Sequence, residues 1–336
     1  MDDPASDVGV EQPATVRGGL ARGLLRWSLR GLVGLAGLLA SVTVTLHVDA
    51  DEYFAERRGP IAEVEDEWLK DEGESWSRGV CVHSESGLSV NLALRWQKDL
   101  QPHDRLPLVI LIGGHRTGRA AVDLVEELDG IVVAAIDYPY TGDPAAKDLD
   151  LVPYVPAIRR ALFDTPPALS VALDWLATLP FVDPARVDLV GVSLGGPFAV
   201  IAGAADPRFH RVWSIHGAGA PHTIMREGLK GDVPTAALRS VLTILALDVS
   251  GVSVLAPERW VGRISPRPFV MIDSVDDDSY PPGCVDALWN AAREPRERQS
   301  TTGGHVRVKK KELLNDLIGR VRQRIEDDFV GPPEGR

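Results

Sequence analysis

A series of short apolar runs separated by helix-length segments constrains this chain more than any other feature. LPLVILI (106–112) and GIVVAAIDY (130–138) are nearly continuous in apolar residues, and RVDLVGV (186–192), HRVWSIHG (210–217) and RPFVMID (267–273) complete the series. A strand with one wet face alternates apolar and polar side chains, whereas a strand covered on both faces does not. The runs therefore predict an α/β protein built on a mainly parallel central sheet with helices on both faces. Two earlier runs, RGVCVHS (78–84) and LSVNLALRW (88–96), are joined by a short ESG segment and read as a hairpin.

Helices are expected over about 118–128, over much of 151–163 and over 167–179. The stretch 222–265 contains the helical run PTAALRSVLTILAL and forms either a small cap or an ordinary crossover. Near the end, Leu313, Leu314, Leu317, Ile318, Val321 and Ile325 line one side of an amphipathic helix, a stripe expected to pack on the sheet.

Residues 1–48 have a different character. A polar, acidic start gives way to Arg17, Arg22, Arg26 and Arg30, and then to the charge-free run GLVGLAGLLASVTVTL (31–46). Arginines before the run and Asp49, Asp51 and Glu52 after it match a helix inserted with its N-terminus inside. Three readings stay open for residues 24–48: a single-pass membrane anchor, a cleaved secretory signal, and an amphipathic or buried helix on the protein body. An anchor would put the body on the extracytoplasmic side, and the other readings would leave it secreted or cytoplasmic. Residues 49–78 read as a charged linker or lead-in, with EVEDEWLKDE helical, and residues 79–336 as the main domain.

The formal net charge is −12, and no basic cluster stands clear of neighbouring acids. Polyanion binding needs positive charge gathered on one face, so a nucleic-acid partner is not expected. Cys81 and Cys284 have no metal-ligand spacing and read as two buried free thiols.

The chemistry concentrates at DLVGVSLGG. Gly191-Val192-Ser193-Leu194-Gly195 is a G-x-S-x-G pattern, preceded by an apolar strand and followed by the helix-like PFAVIAGAA. A tight strand–turn–helix junction lifts a serine hydroxyl above the sheet and turns the first helical amides toward it. Such a serine needs a base, and the negative charge it creates needs amide donors. The backbone N–H of Leu194 is one expected donor. The other comes from the loop after 106–112, where Gly113 and Gly114 permit a close bend and the N–H of His115 or Arg116 follows, His115 being preferred. Asp273, Asp276, Asp277 and Asp278 cluster at the end of the 267–273 strand, where such sheets put their working residues. One of them should orient the base, and the others should solvate the surface or form turns. His305 in STTGGHVRV, late in the chain and beside two glycines, is the expected base. No cofactor and no metal site are implied.

With these motifs in place, residues from about 79 onward resemble the α/β-hydrolase superfamily, and within it the dienelactone-hydrolase, acyl-peptidase and acetyl-esterase-like groups. The order Ser193, Asp277, His305 is the nucleophile–acid–histidine order of that superfamily. Its pattern around the acid is a small residue, two spacers, Asp, three residues and Pro. Ser274, Asp277 and Pro281 fill it, so the resemblance favours Asp277 over the adjacent Asp276. GGHR is similar to the oxyanion loop, but its histidine follows the glycines, unlike the HGGG order of lipases. The resemblance implies acyl-enzyme chemistry on a small acyl substrate, most simply a carboxylic ester. A peptidase of the prolyl-oligopeptidase type, a thioesterase and a non-catalytic binding protein on the same fold are the alternatives.

Overall fold

The computed structural model describes residues 46–330 apart from 102, 115 and 147, with backbone only for 148, 149, 329 and 330. The apolar run 31–46 therefore lies outside the described residues save for Leu46, and His115 lies outside them too. Among the described residues no helix is long and apolar enough to cross a membrane.

The described residues from Val48 onward form one compact unit around a nine-stranded sheet. In chain order the strands are β1 (Ile61–Glu72), β2 (Ser75–Ser84), β3 (Ser89–Gln97), β4 (Leu106–Ile112), β5 (Val132–Ile136), β6 (Val182–Val192), β7 (Arg211–Ile215), β8 (Phe269–Ser274) and β9 (Arg296–Thr301). Their spatial order is β1-β2-β3-β5-β4-β6-β7-β8-β9. The first three are antiparallel, β3 meets β5 antiparallel, and every pairing from β5 across to β9 is parallel.

Each central strand feeds two cores at once. Leu108, Ile110 and Ile112 of β4 point into one and Val109 into the other; on β6, Val187 and Leu189 oppose Val190. The first core is closed by α1 (Ala50–Arg58), α2 (Val155–Leu176), α3 (Gly195–Ala205) and residues 252–264. The second is closed by little more than a 3-10 turn (Gly118–Leu124) and the long C-terminal helix. Between β7 and β8 lie α4 (Pro221–Gly228) and α5 (Ala236–Ile244); α6 (Cys284–Ala291) precedes β9, and α7 (Lys311–Val330) ends the described chain. The expected stripe on α7 does face the sheet, with Leu317, Val321 and Ile325 buried.

Four sequence-based expectations are corrected. EVEDEWLKDE is strand β1, not a helix. Ile61, Val64 and Trp68 have helix-like spacing, but two register shifts break the alternation, so Val64 and Trp68 serve opposite cores. The many charges suit an edge strand, where they deter pairing with another chain. Second, the supposed linker belongs to the body. Asp49 caps α1 by accepting the amides of Asp51 and Glu52, while Tyr53 and Arg57 both donate to Asp164 of α2. Third, the two helices expected over 151–179 are one, continuous through Pro166 and Pro167. Both prolines remove helix hydrogen bonds, yet both are buried among core residues, and Thr165 Oγ1 donates to the Ala161 carbonyl at 2.6 Å. Fourth, Gly118–Leu124 is a 3-10 turn rather than an α-helix. Strand β9, RERQST, was not expected from sequence at all, because its residues are charged and polar and it pairs on one edge only. Both cysteines are free and buried, as expected.

Candidate active site

The strand order reverses about β4: its crossover to β5 runs one way and the next strand, β6, lies on its other side. Such a switch opens a crevice beyond the carboxyl ends of the two strands. The loop after β4 and the turn after β6 both end there.

The turn after β6 is very tight. Ser193 sits at φ +55°, a left-handed conformation strained for a side-chain-bearing residue. Its N–H donates to the Ile215 carbonyl of β7 at 2.8 Å and its carbonyl accepts from Gly196 at 3.0 Å, so the turn is clamped on both sides. Gly191 and Gly195 are there because nothing larger fits. A Cβ on Gly195 would lie 1.8 Å from the Ile112 carbonyl oxygen, and one on Gly191 would lie 2.4 Å from the Gly195 oxygen. Leu194 opens α3, so its amide belongs to the first-turn donors that have no intrahelical acceptor.

Ser193 Oγ is 2.7 Å from His305 Nε2, and His305 Nδ1 is 2.7 Å from Asp277 Oδ2. The other carboxylate oxygen of Asp277 accepts the Ser279 amide at 2.8 Å. Burial by itself would raise the Asp277 pKa, but the hydrogen bond to His305 and the Ser279 amide outweigh it and hold the carboxyl below the ordinary value. Tyr280 stands edge-on to the imidazole at 5.5 Å between centroids. Burial pushes its hydroxyl pKa up, with Asp277 adding to the rise and a hydrogen bond to Ser193 opposing it.

Asp276 has a different task from its neighbour. It accepts the amides of Gly303 and Gly304 at 3.1 and 2.9 Å and the Ser274 hydroxyl at 2.7 Å. Those hydrogen bonds, the Ser274 one foremost, depress its pKa to about 2. Gly303 and Gly304 have φ of +99° and +68°, and Lys310 Nζ donates to the Gly303 carbonyl. The histidine loop is thus gripped by one aspartate while the next one orients the ring. Asp273 pairs with Arg298 and accepts the Ser300 hydroxyl at 2.8 Å.

Sequence reasoning missed a second histidine beneath the first. His216, buried and at φ +49°, accepts the Val306 amide on Nδ1 at 2.9 Å. Its Nε2 lies 3.2 Å from Thr301 Oγ1, whose proton goes to the Asp273 carbonyl, so Nε2 carries the ring's hydrogen. Burial, aided by the nearby His305, lowers the His216 pKa to about 4, which keeps the ring neutral. Among the described residues, His216, Asp277 and His305 bring possible metal-ligand atoms within 4.8 Å of one another. The Val306 amide already occupies the Nδ1 lone pair of His216, so the arrangement is one of hydrogen bonds. The signal in the sequence was His216 ending an apolar strand, at HRVWSIHG, in the same relative place as Ser193.

The loop after β4 is braced from both ends. Tyr138 donates its hydroxyl to the Gly113 carbonyl at 2.7 Å, and Thr117 N–H donates to Gly114 O at 2.9 Å. Arg116 is exposed. His115, expected to supply an amide, falls outside the described residues.

The sheet order, the strand–serine–helix junction and the late histidine define an α/β-hydrolase fold. No family model matches the chain, and no curated protein matches it by sequence. Solved structures do resemble it. An acetyl xylan esterase from Paenibacillus sp. R4 superposes with a TM-score of 0.63 at 16% identity, over 84% of this chain and 95% of that one. Acetyl xylan esterase 1 from Thermoanaerobacterium sp. JW/SL YS485 gives 0.56 at 17% identity, over 83% and 94%. The α/β hydrolase GrgF from Penicillium sp. sh18 gives 0.55 at 17% identity, over 75% and 98%. At such identities the likeness is one of fold.

Proposed function

We propose that this protein is a serine hydrolase that cleaves carboxylic esters through an acyl-enzyme. The observation that carries the reading is the unbroken hydrogen-bonded line from Ser193 Oγ through His305 to Asp277, 2.7 Å at each step, at the strand ends of this fold. His305 Nε2 takes the Ser193 proton as Oγ attacks the carbonyl carbon, and the carbonyl π electrons move onto its oxygen. The Leu194 amide, with the His115 amide as second donor, receives that oxyanion. The oxyanion collapses, the ester C–O bond breaks, and the imidazolium gives its proton to the departing alkoxide. Water then repeats the sequence on the acyl-serine, releasing the acid. Asp277 holds the imidazole in the tautomer with hydrogen on Nδ1 and stabilises its charged form. None of these steps calls for a cofactor.

The test compares the full chain with Ser193→Ala on matched ester, thioester and aminopeptide substrates, together with fluorophosphonate labelling. Labelling and ester turnover should both vanish in the variant, the latter by roughly five to six orders of magnitude. Peptide turnover above ester turnover would put a peptidase first. A folded wild type that neither labels nor turns over any substrate would leave a binding role.

The apolar segment before Val48, residues 24–47, is proposed as a single-pass anchor with the hydrolase on the extracytoplasmic side; Val48 itself packs on the first core. The charge-free run 31–46, the arginines before it and the acids after it support that orientation. Membrane fractionation and protease accessibility of intact cells would test it, and a soluble, uncleaved protein would exclude the anchor.

A further inference from the structure

The second core is incompletely filled. Next to Ser193, between the sheet and α7, lies a cavity of about 210 Å³. Ser193, Gly113, Gly114 and Val306, residues of the crevice itself, are part of its lining. Its walls are Val109, Val133 and Val190 of the sheet, Ala121 of the short turn, Val125 just after it, and Leu317 of α7. Arg307 and Arg322 are the charged residues lining it, and Arg322 is tied to Glu127 at 2.6 Å. The void follows from the local fold. A 3-10 turn of seven residues, centred on the small Ala121, covers sheet area that a longer helix would fill.

We infer that this cavity receives an unbranched saturated acyl chain, so that the enzyme favours esters of medium-chain acids over acetate. The inference rests on the ester-hydrolase reading above and names its substrate class. A sugar or peptide side chain would lose its hydrogen bonds among these walls, whereas a hydrocarbon loses none. At about 30 Å³ for each water-sized group the space holds roughly seven methylene-sized units. The occupant is the acyl part rather than the alcohol. The cavity borders Ser193, to which the acyl group stays bonded, while the alcohol must leave past His305 to take its proton.

The experiment measures kcat/KM of the full chain on nitrophenyl esters with acyl chains from two to twelve carbons. A parallel series of butyrate esters lengthens the alcohol instead. The expected rise is up to about fourfold per acyl methylene, as far as six to eight carbons, with a flat alcohol series. Ala121→Phe, which fills the cavity, should lower the hexanoate-to-acetate ratio at least tenfold. Its melting temperature checks folding, and Leu314→Trp, from a half-buried wall position on α7, serves if that variant does not fold. As a readout independent of catalysis, octanoate should bind Ser193→Ala with a negative heat-capacity change, and binding should disappear when the cavity is filled. Acetate as the best acyl group, dependence on alcohol length, or an unchanged ratio in a folded filled variant would each overturn the inference while leaving the hydrolase intact. If the wild type hydrolyses nothing, the hydrolase reading falls, and octanoate binding alone decides whether the cavity takes a chain.

Discussion

Two aspartates lie near opposite ends of the parallel strands, and each exposes only 5% of its side chain, yet their acidities are shifted in opposite directions. Asp277, just beyond the carboxyl end of β8, is held below the usual carboxylate range. Asp188, near the start of the apolar part of β6, is pushed above it. Asp277 accepts from His305 and from the Ser279 amide at 2.7 and 2.8 Å, which offsets its desolvation. Asp188 accepts one hydrogen bond, from Trp213 Nε1 at 3.1 Å. Its Arg211 partner, at 3.3 Å, is itself buried and also paired with Asp328, so burial wins. Surface exposure alone does not set the charge state of a carboxyl group. The depth of the group beneath the surface and the number and aim of its donors do, and donors are plentiful at the strand ends where loops bring amides and an imidazole together.

Neutralising each group in turn tests that contrast. Asp277→Asn should lower kcat/KM by about 10⁴, because an amide can no longer favour the Nδ1-protonated tautomer and its charged form. Urea unfolding should show little change, and a loss below tenfold would mean that another group orients His305.

The next effect is on stability. His216 has a folded pKa of about 4 against an ordinary value of 6.5, so between those values the unfolded chain binds more protons. Its contribution is fully present above pH 6.5 and falls as the pH drops toward 4, by on the order of 3 kcal/mol. Denaturation midpoints of wild type and His216→Asn between pH 7 and 4 isolate that part, and parallel curves would remove His216 from the account.

Asp276→Asn should slow turnover tenfold to about a hundredfold by loosening the loop that presents His305. The variant amide nitrogen would face one of the two glycine N–H groups that the carboxylate accepts. Fluorophosphonate labelling should slow with it. Equal rates in wild type and variant would show that Lys310 and His216 hold the loop without Asp276. The smallest change is expected for Asp188→Asn. Relief from burying a carboxylate offsets the weakened pair with Arg211, so stability should move by less than about 1 kcal/mol and activity by less than about twofold. A loss above 3 kcal/mol would show the ion pair to be strongly favourable and break the comparison.

Much of the fold was legible because apolar runs such as 106–112 and 130–138 carry the pattern of doubly covered strands in their composition. Strand β9 was not, since RERQST borrows its place from β8 and carries no apolar signal of its own. Strand β1 was misread because bulges give a strand the residue spacing of a helix. At the site, Ser193 announced itself through glycines that any strand–turn–helix junction of this kind requires. The separate tasks of Asp276 and Asp277 could not be told apart by position, because adjacent side chains diverge and only the loop at 303–305 decides which oxygen meets which donor.

The sequence by itself determined the layered α/β architecture, the strained serine turn and the set of residues from which the proposed chemistry draws. These are local properties, written in periodicity, glycine placement and strand-end composition. The tertiary structure alone decided that His216 stands behind His305, that Arg211 joins Asp188 to Asp328, and that a void opens beside Ser193. Each of those depends on residues tens to more than a hundred positions apart, whose meeting is fixed by packing rather than by pattern.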